Sequence, residues 1–411
     1  MTRPVRGRSV RARDPYGIGP VGSAIGPIAS VVGLALIAII TINLFNYELP
    51  FAGSGNGGNG SDGAPGGPAV SAAPSNIVVV PDEAAFLGSI VYAKAGNIWV
   101  QTDQGATQLT DGGGASMPSF SADGAWITYV QTTLQKGKWP VRGTPSWYDI
   151  ELNELRRIPT DGSGKPQRLL SGQVRRGPLR WSSWIRQPVL SPDGKTIALV
   201  TDAPRPDESN VVLQFYDIAR KRLTRAGVRE VGVLGHQDPE WRPDGRYLLY
   251  TMNNRDGARG APVIMRYDPK NKNARAMTGA GYMQPSYSPD GRFIAATRTT
   301  ALGTDVVILN AGNGNELLRL TDDDASWAPA WSPAGDAIAF LHIVGQTVDL
   351  RLATLEGRGP AWTVAETVNL TEVSGLDAAS RPDWFIPPAL LPAAPAPSSA
   401  SAAPSDASPS P

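Results

Sequence analysis

The 411-residue sequence predicts an all-β fold: a six-bladed β-propeller whose first and last strands share one closing blade, preceded by one transmembrane α-helix. Three observations carry this. A ten-residue phrase returns five times, as SADGAWITYV from Ser121, SPDGKTIALV from Ser191, RPDGRYLLYT from Arg242, SPDGRFIAAT from Ser288 and SPAGDAIAFL from Ser332. A Pro-x-aromatic or Pro-x-aliphatic triplet begins at Pro118, Pro188, Pro239, Pro285, Pro329 and Pro382, in steps of 70, 51, 46, 44 and 53 residues. That is the period of a blade made of short strands. Ahead of both, Pro15 to Tyr47 contains no charged side chain.

The unit around Ser288 shows why each repeat reads as a blade. The aromatic of the triplet sits on a first strand and fills space between neighbouring sheets. Pro-Asp-Gly then turns the chain, because Pro fixes φ, Asp bonds nearby backbone and Gly accepts positive φ. RFIAATR reads as the second strand, Thr304 to Asn310 as the third and Glu316 to Thr321 as the fourth. Five units are complete, whereas the sixth begins at Pro382 and soon runs into a low-complexity tail. Its missing strands are supplied from the other end of the domain, by SIVYAK from Ser89, NIWVQT from Asn97 and TQLT from Thr107. Sharing one blade closes the ring and removes open sheet edges.

Domain organisation follows. Residues 1–20 are a basic stub with Arg3, Arg6, Arg8, Arg11 and Arg13, and residues 21–46 are the anchor, with an apolar heart from Ile28 to Phe45. About 20 such residues span a bilayer core. No Lys or Arg follows until Lys94, so the positive-inside bias predicts a cytoplasmic N-terminus and an extracytoplasmic propeller. A cleaved signal peptide has a shorter apolar run and a small-residue site close behind, whereas this run is followed by NYELPF. Residues 47–84 read as a Gly/Ser/Pro linker, 85–386 as the propeller and 387–411 as a disordered Pro/Ala/Ser tail.

Composition excludes several chemistries. A net charge of +1 gives no general affinity for nucleic acid, and none is expected as a partner. The absence of Cys removes disulfides, thiolate catalysis and Cys-bound zinc. Two His, His236 and His342, cannot supply three imidazole ligands. No Gly-x-Ser-x-Gly elbow occurs, and Ser121-Ala-Asp123-Gly124 is one residue short of an Asp box. No catalytic residue, metal or cofactor is assigned, and a monomer is expected.

SPDG followed by short apolar strands, with Trp241-Arg-Pro, Trp331-Ser-Pro, Leu320-Thr321 and Leu370-Thr371, resembles the PD40 repeats of TolB-like six-bladed propellers over about residues 85–386. SPDG is intact at 191–194 and 288–291 and departs at Ala122, Arg242 and Ala334. The resemblance implies architecture strongly and function weakly. Its relatives include periplasmic binding partners, protease propellers and polysaccharide lyases.

The expected function is recognition of an envelope protein or an anionic wall polymer at the mouth of the central channel; the alternative is a cell-envelope hydrolase or lyase with an unfamiliar site on the same rim. Residues leading into each first strand approach that mouth, which selects Arg186, Gln187, His236, Asp238, Gln284, Trp327 and Arg381 as ligand-binding candidates. For any one of them the alternative is capping a strand end or packing in the ring. His236 lies beside Asp238 and Glu240, a pattern that an ordinary loop His also gives. A second candidate is the long insertion, which holds 11 Lys or Arg against 4 Asp or Glu between Lys136 and Arg186. Within it, Arg175, Arg176, Arg180, Trp181 and Trp184 form a candidate basic, aromatic surface, while NELRRIP and PQRLLS read as blade strands.

Overall fold

The structure, a computed structural model, describes residues 86–391 except 142–143, 206–209, 231–234, 254–261 and 358. The predicted stub, anchor and linker, and most of the tail, lie outside the described residues. Among the described residues no helix is long and apolar enough to cross a membrane.

The described chain forms six antiparallel sheets, one per blade. Blade 1 is the predicted shared blade, with Asp383–Phe385 innermost, then Ser89–Lys94, Asn97–Thr102 and Gly105–Gln108. The last strand starts two residues earlier than the TQLT reading. Blade 3 runs Ile185–Leu190, Thr196–Thr201, Val212–Asp217 and Arg222–Arg225. Blade 4 runs His236–Trp241, Leu248–Met252, Val263–Asp268 and Asn273–Ala276. Blade 5 runs Tyr282–Tyr287, Phe293–Thr299, Thr304–Asn310 and Glu316–Arg319, close to its sequence prediction. Blade 6 runs Ser326–Trp331, Ala337–Val344, Thr347–Glu356 and Thr363–Asn369.

The five-fold phrase is the turn from first to second strand. At Ser288 the Gly291 N–H bonds the Ser288 carbonyl at 2.8 Å, and the Ser288 hydroxyl bonds Asp290 at 2.6 Å while accepting from Phe293 N–H at 3.0 Å. Gly291 has φ +66°. The Ser121 and Ser191 turns repeat these bonds. At Gly124 space as well as φ demands glycine, because a Cβ there would lie 2.1 Å from the Phe385 ring of blade 1.

The triplet aromatics fill the seams between sheets: Phe120, Tyr287, Trp331 and Trp384 are buried. The seam between blades 6 and 1 holds a broad apolar cluster, including Phe86, Ile90, Trp99, Leu341, Leu350 and Trp384. Phe86 meets Trp384 edge-on at 5.7 Å, and the Trp384 indole N–H bonds the Leu87 carbonyl at 2.8 Å. The closure of the ring thus rests on burial as well as on strand pairing.

Blade 2 departs from the pattern. Its strands are Ala115–Phe120, Trp126–Val141, Thr144–Pro159 and Gln167–Ser171, so the second and third are 16 residues each, where other blades use five to ten. NELRRIP and PQRLLS are blade strands, as read, and the residues ahead of NELRRIP are strand as well. They continue the hairpin in register from Trp126–Pro159 out to Val141–Thr144. A further hairpin, Gln173–Arg176 with Leu179–Ser182, attaches to its outer part through the Lys138–Arg180 pairing. In a four-strand meander the second-to-third hairpin and the exit from the fourth strand lie at one end, the crossover end. The phrase turns lie at the other, the turn end. The blade 2 arm therefore projects from the crossover end. Ser89 pairs with Phe385, so both ends of the described chain lie at the turn end.

Candidate functional site

Of the residues expected in loops at the channel mouth, all but Arg381 lie inside the first strands. In five blades the register shifts just before the Pro of the triplet, between Ser116 and Ser119, Arg186 and Val189, Gln237 and Glu240, Met283 and Ser286, and Trp327 and Ala330. At each bulge the residue before Pro has positive φ: Met117, Gln187, Asp238, Gln284 and Ala328. An L-residue there costs on the order of 1 kcal/mol. The conformation aims its N–H toward the preceding blade. Met117 N–H donates to the Ser380 hydroxyl at 2.8 Å, and Asp238 N–H to Gln187 Oε1 at 3.0 Å. Gln284 N–H donates to the Thr251 hydroxyl at 3.1 Å, and Ala328 N–H to Gln284 Oε1 at 3.1 Å and the Thr297 hydroxyl at 2.9 Å.

Two residues further along, the middle position of the triplet makes a second circle of bonds. Phe120 N–H donates to Asp383 at 2.7 Å, Trp331 N–H to the Ser286 hydroxyl at 3.1 Å, and Tyr287 N–H to Glu240 at 3.4 Å. Arg381, on blade 1, reaches across the ring to blade 4. It donates to Glu240 at 2.7 Å and to the Pro285 carbonyl at 2.5 Å. Where Arg381 crosses the ring, a cavity of about 30 Å³ remains, lined by Met117, Gln187, Asp238, Arg381 and Asp383, room for a water or two. Burial pushes the Asp238, Glu240 and Asp383 carboxyls above their ordinary range, against the pull of Arg381.

Most of the rim candidates are therefore internal fasteners. Gln187 donates to Asp238 at 2.6 Å and Asp238 accepts from Thr251 at 3.1 Å. Gln284 accepts from Thr297 at 2.8 Å, and the Trp327 indole donates to the Ala378 carbonyl at 3.0 Å. His236 needs a correction, because it is fully buried and takes no part in the rim. Its Nδ1 accepts the Leu213 N–H at 3.0 Å, so Nε2 carries the proton and donates to the Arg229 carbonyl at 2.9 Å. Burial pushes its pKa down. In four other blades the same acceptor place, at the start of the third strand, belongs to a Thr hydroxyl: Thr110 on Ile98, Thr278 on Ile264, Thr321 on Val306 and Thr371 on Leu350. Blade 3 has Gly227 where these have Thr, and His236 supplies the missing acceptor. In blade 2 the Ser182 hydroxyl does so for Asn153 N–H at 3.2 Å. The absent Thr was the signal for this role.

Arg186 differs from the other six. Its guanidinium has no hydrogen bond or ion pair among the described residues. It is half-buried at the crossover end of the channel, 5.7 Å over the ring of Trp184, which is 42% exposed. Burial pushes its pKa down while Asp238 and Asp377 oppose this. A cation with unused donors beside an exposed aromatic is a preformed seat for a carboxylate.

On the arm, Arg175, Arg176 and Arg180 are exposed as expected, while Trp181 is not. Trp181 pairs with Val174, on the face opposite Arg175 and Arg180, and is buried with the Arg176 guanidinium 5.7 Å over its ring. Trp147, which also lies among the basic residues of the insertion, is 59% exposed on the same arm, and Leu134, which sequence reasoning missed, is 71% exposed. A groove of about 320 Å³ lies between blades 2 and 3 at the turn end, where Arg157 covers the Trp126 ring at 4.2 Å.

One arrangement resembles chemistry without its geometry. Ser326, His342 and Asp323 lie together, but the Ser hydroxyl and the carboxylate both meet Nδ1, at 3.0 and 3.2 Å, and Ser326 is fully buried. A hydrolytic triad needs them on opposite ring nitrogens. Among the described residues no three His, Asp or Glu are placed to hold a metal ion.

The family of the TolB beta propeller domain, PD40, matches residues 169–372, and the chain carries a propeller domain of this family. TolB from Acinetobacter baumannii is 18% identical with a TM-score of 0.51, covering 72% of this chain and 66% of its own. This chain thus spans just under two thirds of that protein's length. A TolB from Agrobacterium tumefaciens is 15% identical with a TM-score of 0.50, covering 74% of this chain and 95% of its own. A chain of a nidogen/laminin complex is 12% identical with a TM-score of 0.51, covering 73% of this chain and 98% of its own. At these identities the likeness is one of fold. No curated protein matches the sequence.

Proposed function

We propose that this protein is a membrane-anchored, extracytoplasmic recognition module that binds an acidic segment of an envelope protein at the crossover end of its channel. The observation that carries this is Arg186, whose donors are unspent beside the exposed Trp184, while the other rim candidates are committed to neighbouring blades. The small cavity at Arg381 favours contact over an end surface rather than capture in a deep pocket. Residues 21–46 provide the anchor on this reading, holding a weak contact near the membrane at raised effective concentration. The test is a pull-down with the full chain in detergent against solubilised envelope, with an acidic peptide as competitor. The reading expects a partner that the peptide displaces and that Arg186→Glu loses. A set of partners unchanged by Arg186→Glu would overturn it.

A further inference from the structure

The outer part of the blade 2 arm carries charges that the fold leaves unanswered. Four strands meet there, and their register places Trp147 opposite Lys138, Lys138 opposite Arg180, and Arg180 opposite Arg175. Partners in register project to the same face and strands are spaced about 4.8 Å, so the row is about 14 Å long. Lys138 lies 5.5 Å over the Trp147 ring. Arg175 and Arg180 are exposed and have no hydrogen bond or ion pair among the described residues. The nearby carboxylate on this face, Asp149, is taken by Lys136 at 2.7 Å.

Like charges directly opposite one another weaken a sheet, and here three cations stand side by side. Nearer the blade the same sheet does otherwise: Arg156 and Arg168 share Glu154, at 2.6 and 3.0 Å. The matching of charge stops where the arm leaves the ring. A run of cations whose mutual repulsion only an outside anion relieves, ending in an exposed indole, fits a linear acidic chain that also offers a flat apolar face.

We propose that this face binds an anionic polysaccharide, with Lys138, Arg180 and Arg175 pairing with successive acidic groups and Trp147 stacking on a sugar ring. A lipid surface fits less well. The chain enters and leaves the propeller at the turn end while the arm points from the crossover end, so on the proposed anchoring the arm faces away from the membrane. This inference is otherwise independent of the Arg186 reading, because its ligand, its residues and its test are different.

The test uses the full chain in nanodiscs of zwitterionic lipid, titrated with alginate oligomers at low salt. Neutral dextran, poly-glutamate and single-stranded DNA serve as comparison probes. Alginate should bind, dextran should not, and affinity should fall as salt rises. Arg175→Glu with Arg180→Glu should weaken alginate binding at least 10-fold with the melting temperature unchanged. Trp147→Ala should weaken alginate binding several-fold and leave poly-glutamate binding as it was, which separates sugar stacking from charge alone. Alginate binding that survives the charge reversal overturns the proposal. So does a Trp147→Ala variant with unaltered alginate affinity, or a preference for poly-glutamate or DNA over alginate. Should either Arg substitution lower the melting temperature, Arg175→Gln with Arg180→Gln replaces it, and the same 10-fold loss is required.

Discussion

The channel wall and the blade 2 arm spend their polar groups in opposite ways. In the wall, Asp383, Glu240, Gln187, Gln284 and Arg381 each bond an adjoining or opposite blade. On the arm, Arg175 and Arg180 have no hydrogen bond or ion pair among the described residues and stand in register only with each other and, for Arg180, with Lys138. A sequence reader sees polar residues at both places and would assign both to a ligand. The difference teaches that a polar residue aimed at a channel is first a fastener between blades, and that only polar groups left unspent by the fold point to function.

The sharpest break of this comparison is Arg381→Ala. It leaves Glu240, which is mostly but not fully buried, without its partner, so a loss of about 3 kcal/mol is expected in denaturant unfolding. Next comes a pair of glycines. Gly124 and Gly194 have nearly equal φ, +68° and +70°, but only Gly124 faces a neighbour, the Phe385 ring. Gly194→Ala should cost about 1–2 kcal/mol and Gly124→Ala clearly more, since the closing strand must shift. If the two cost the same, the tight seam between blades 1 and 2 is absent.

His236 gives a smaller, pH-dependent effect. In the fold its ring is neutral and its pKa is pushed down by burial, while the unfolded ring titrates near 6.5. Below about pH 6.5 the unfolded chain therefore binds more protons, and the stability present above that pH is lost as pH falls toward the folded pKa. His236→Gln, which keeps an acceptor, should flatten the melting temperature between pH 7 and 5. His342, also pushed down by burial, contributes equally to both proteins and cancels in their difference. The smallest effect belongs to the arm, where Arg175→Ala with Arg180→Ala should leave the melting temperature within about 1–2 °C or raise it, because it removes facing like charges.

Much of the ring was legible because its signals are local. Ser288-Pro-Asp-Gly dictates a turn by its own hydrogen bonds, and Thr304 to Asn310 is apolar enough to be a buried strand whatever its neighbours are. The shared blade followed from counting. The arm was not legible as strand, because residues 132–136 and 146–151 bury little and so carry no period-2 pattern; their strands are held by backbone pairing. The bulges that aim the N–H groups of Gln187, Asp238 and Gln284 at the preceding blade depend on a neighbouring sheet, which no single repeat displays. His236 was misplaced because its neighbours Asp238 and Glu240 suggested a site, while the informative residue was Gly227, where other blades carry Thr.

The central claim is that the channel charges hold the ring and the arm charges do not. It is tested most directly by comparing the unfolding of Arg381→Ala and of the Arg175→Ala, Arg180→Ala double variant with the parent in one denaturant series. The account predicts a large fall in midpoint for Arg381→Ala and none for the double variant. Equal falls, or a fall for the arm alone, would contradict it.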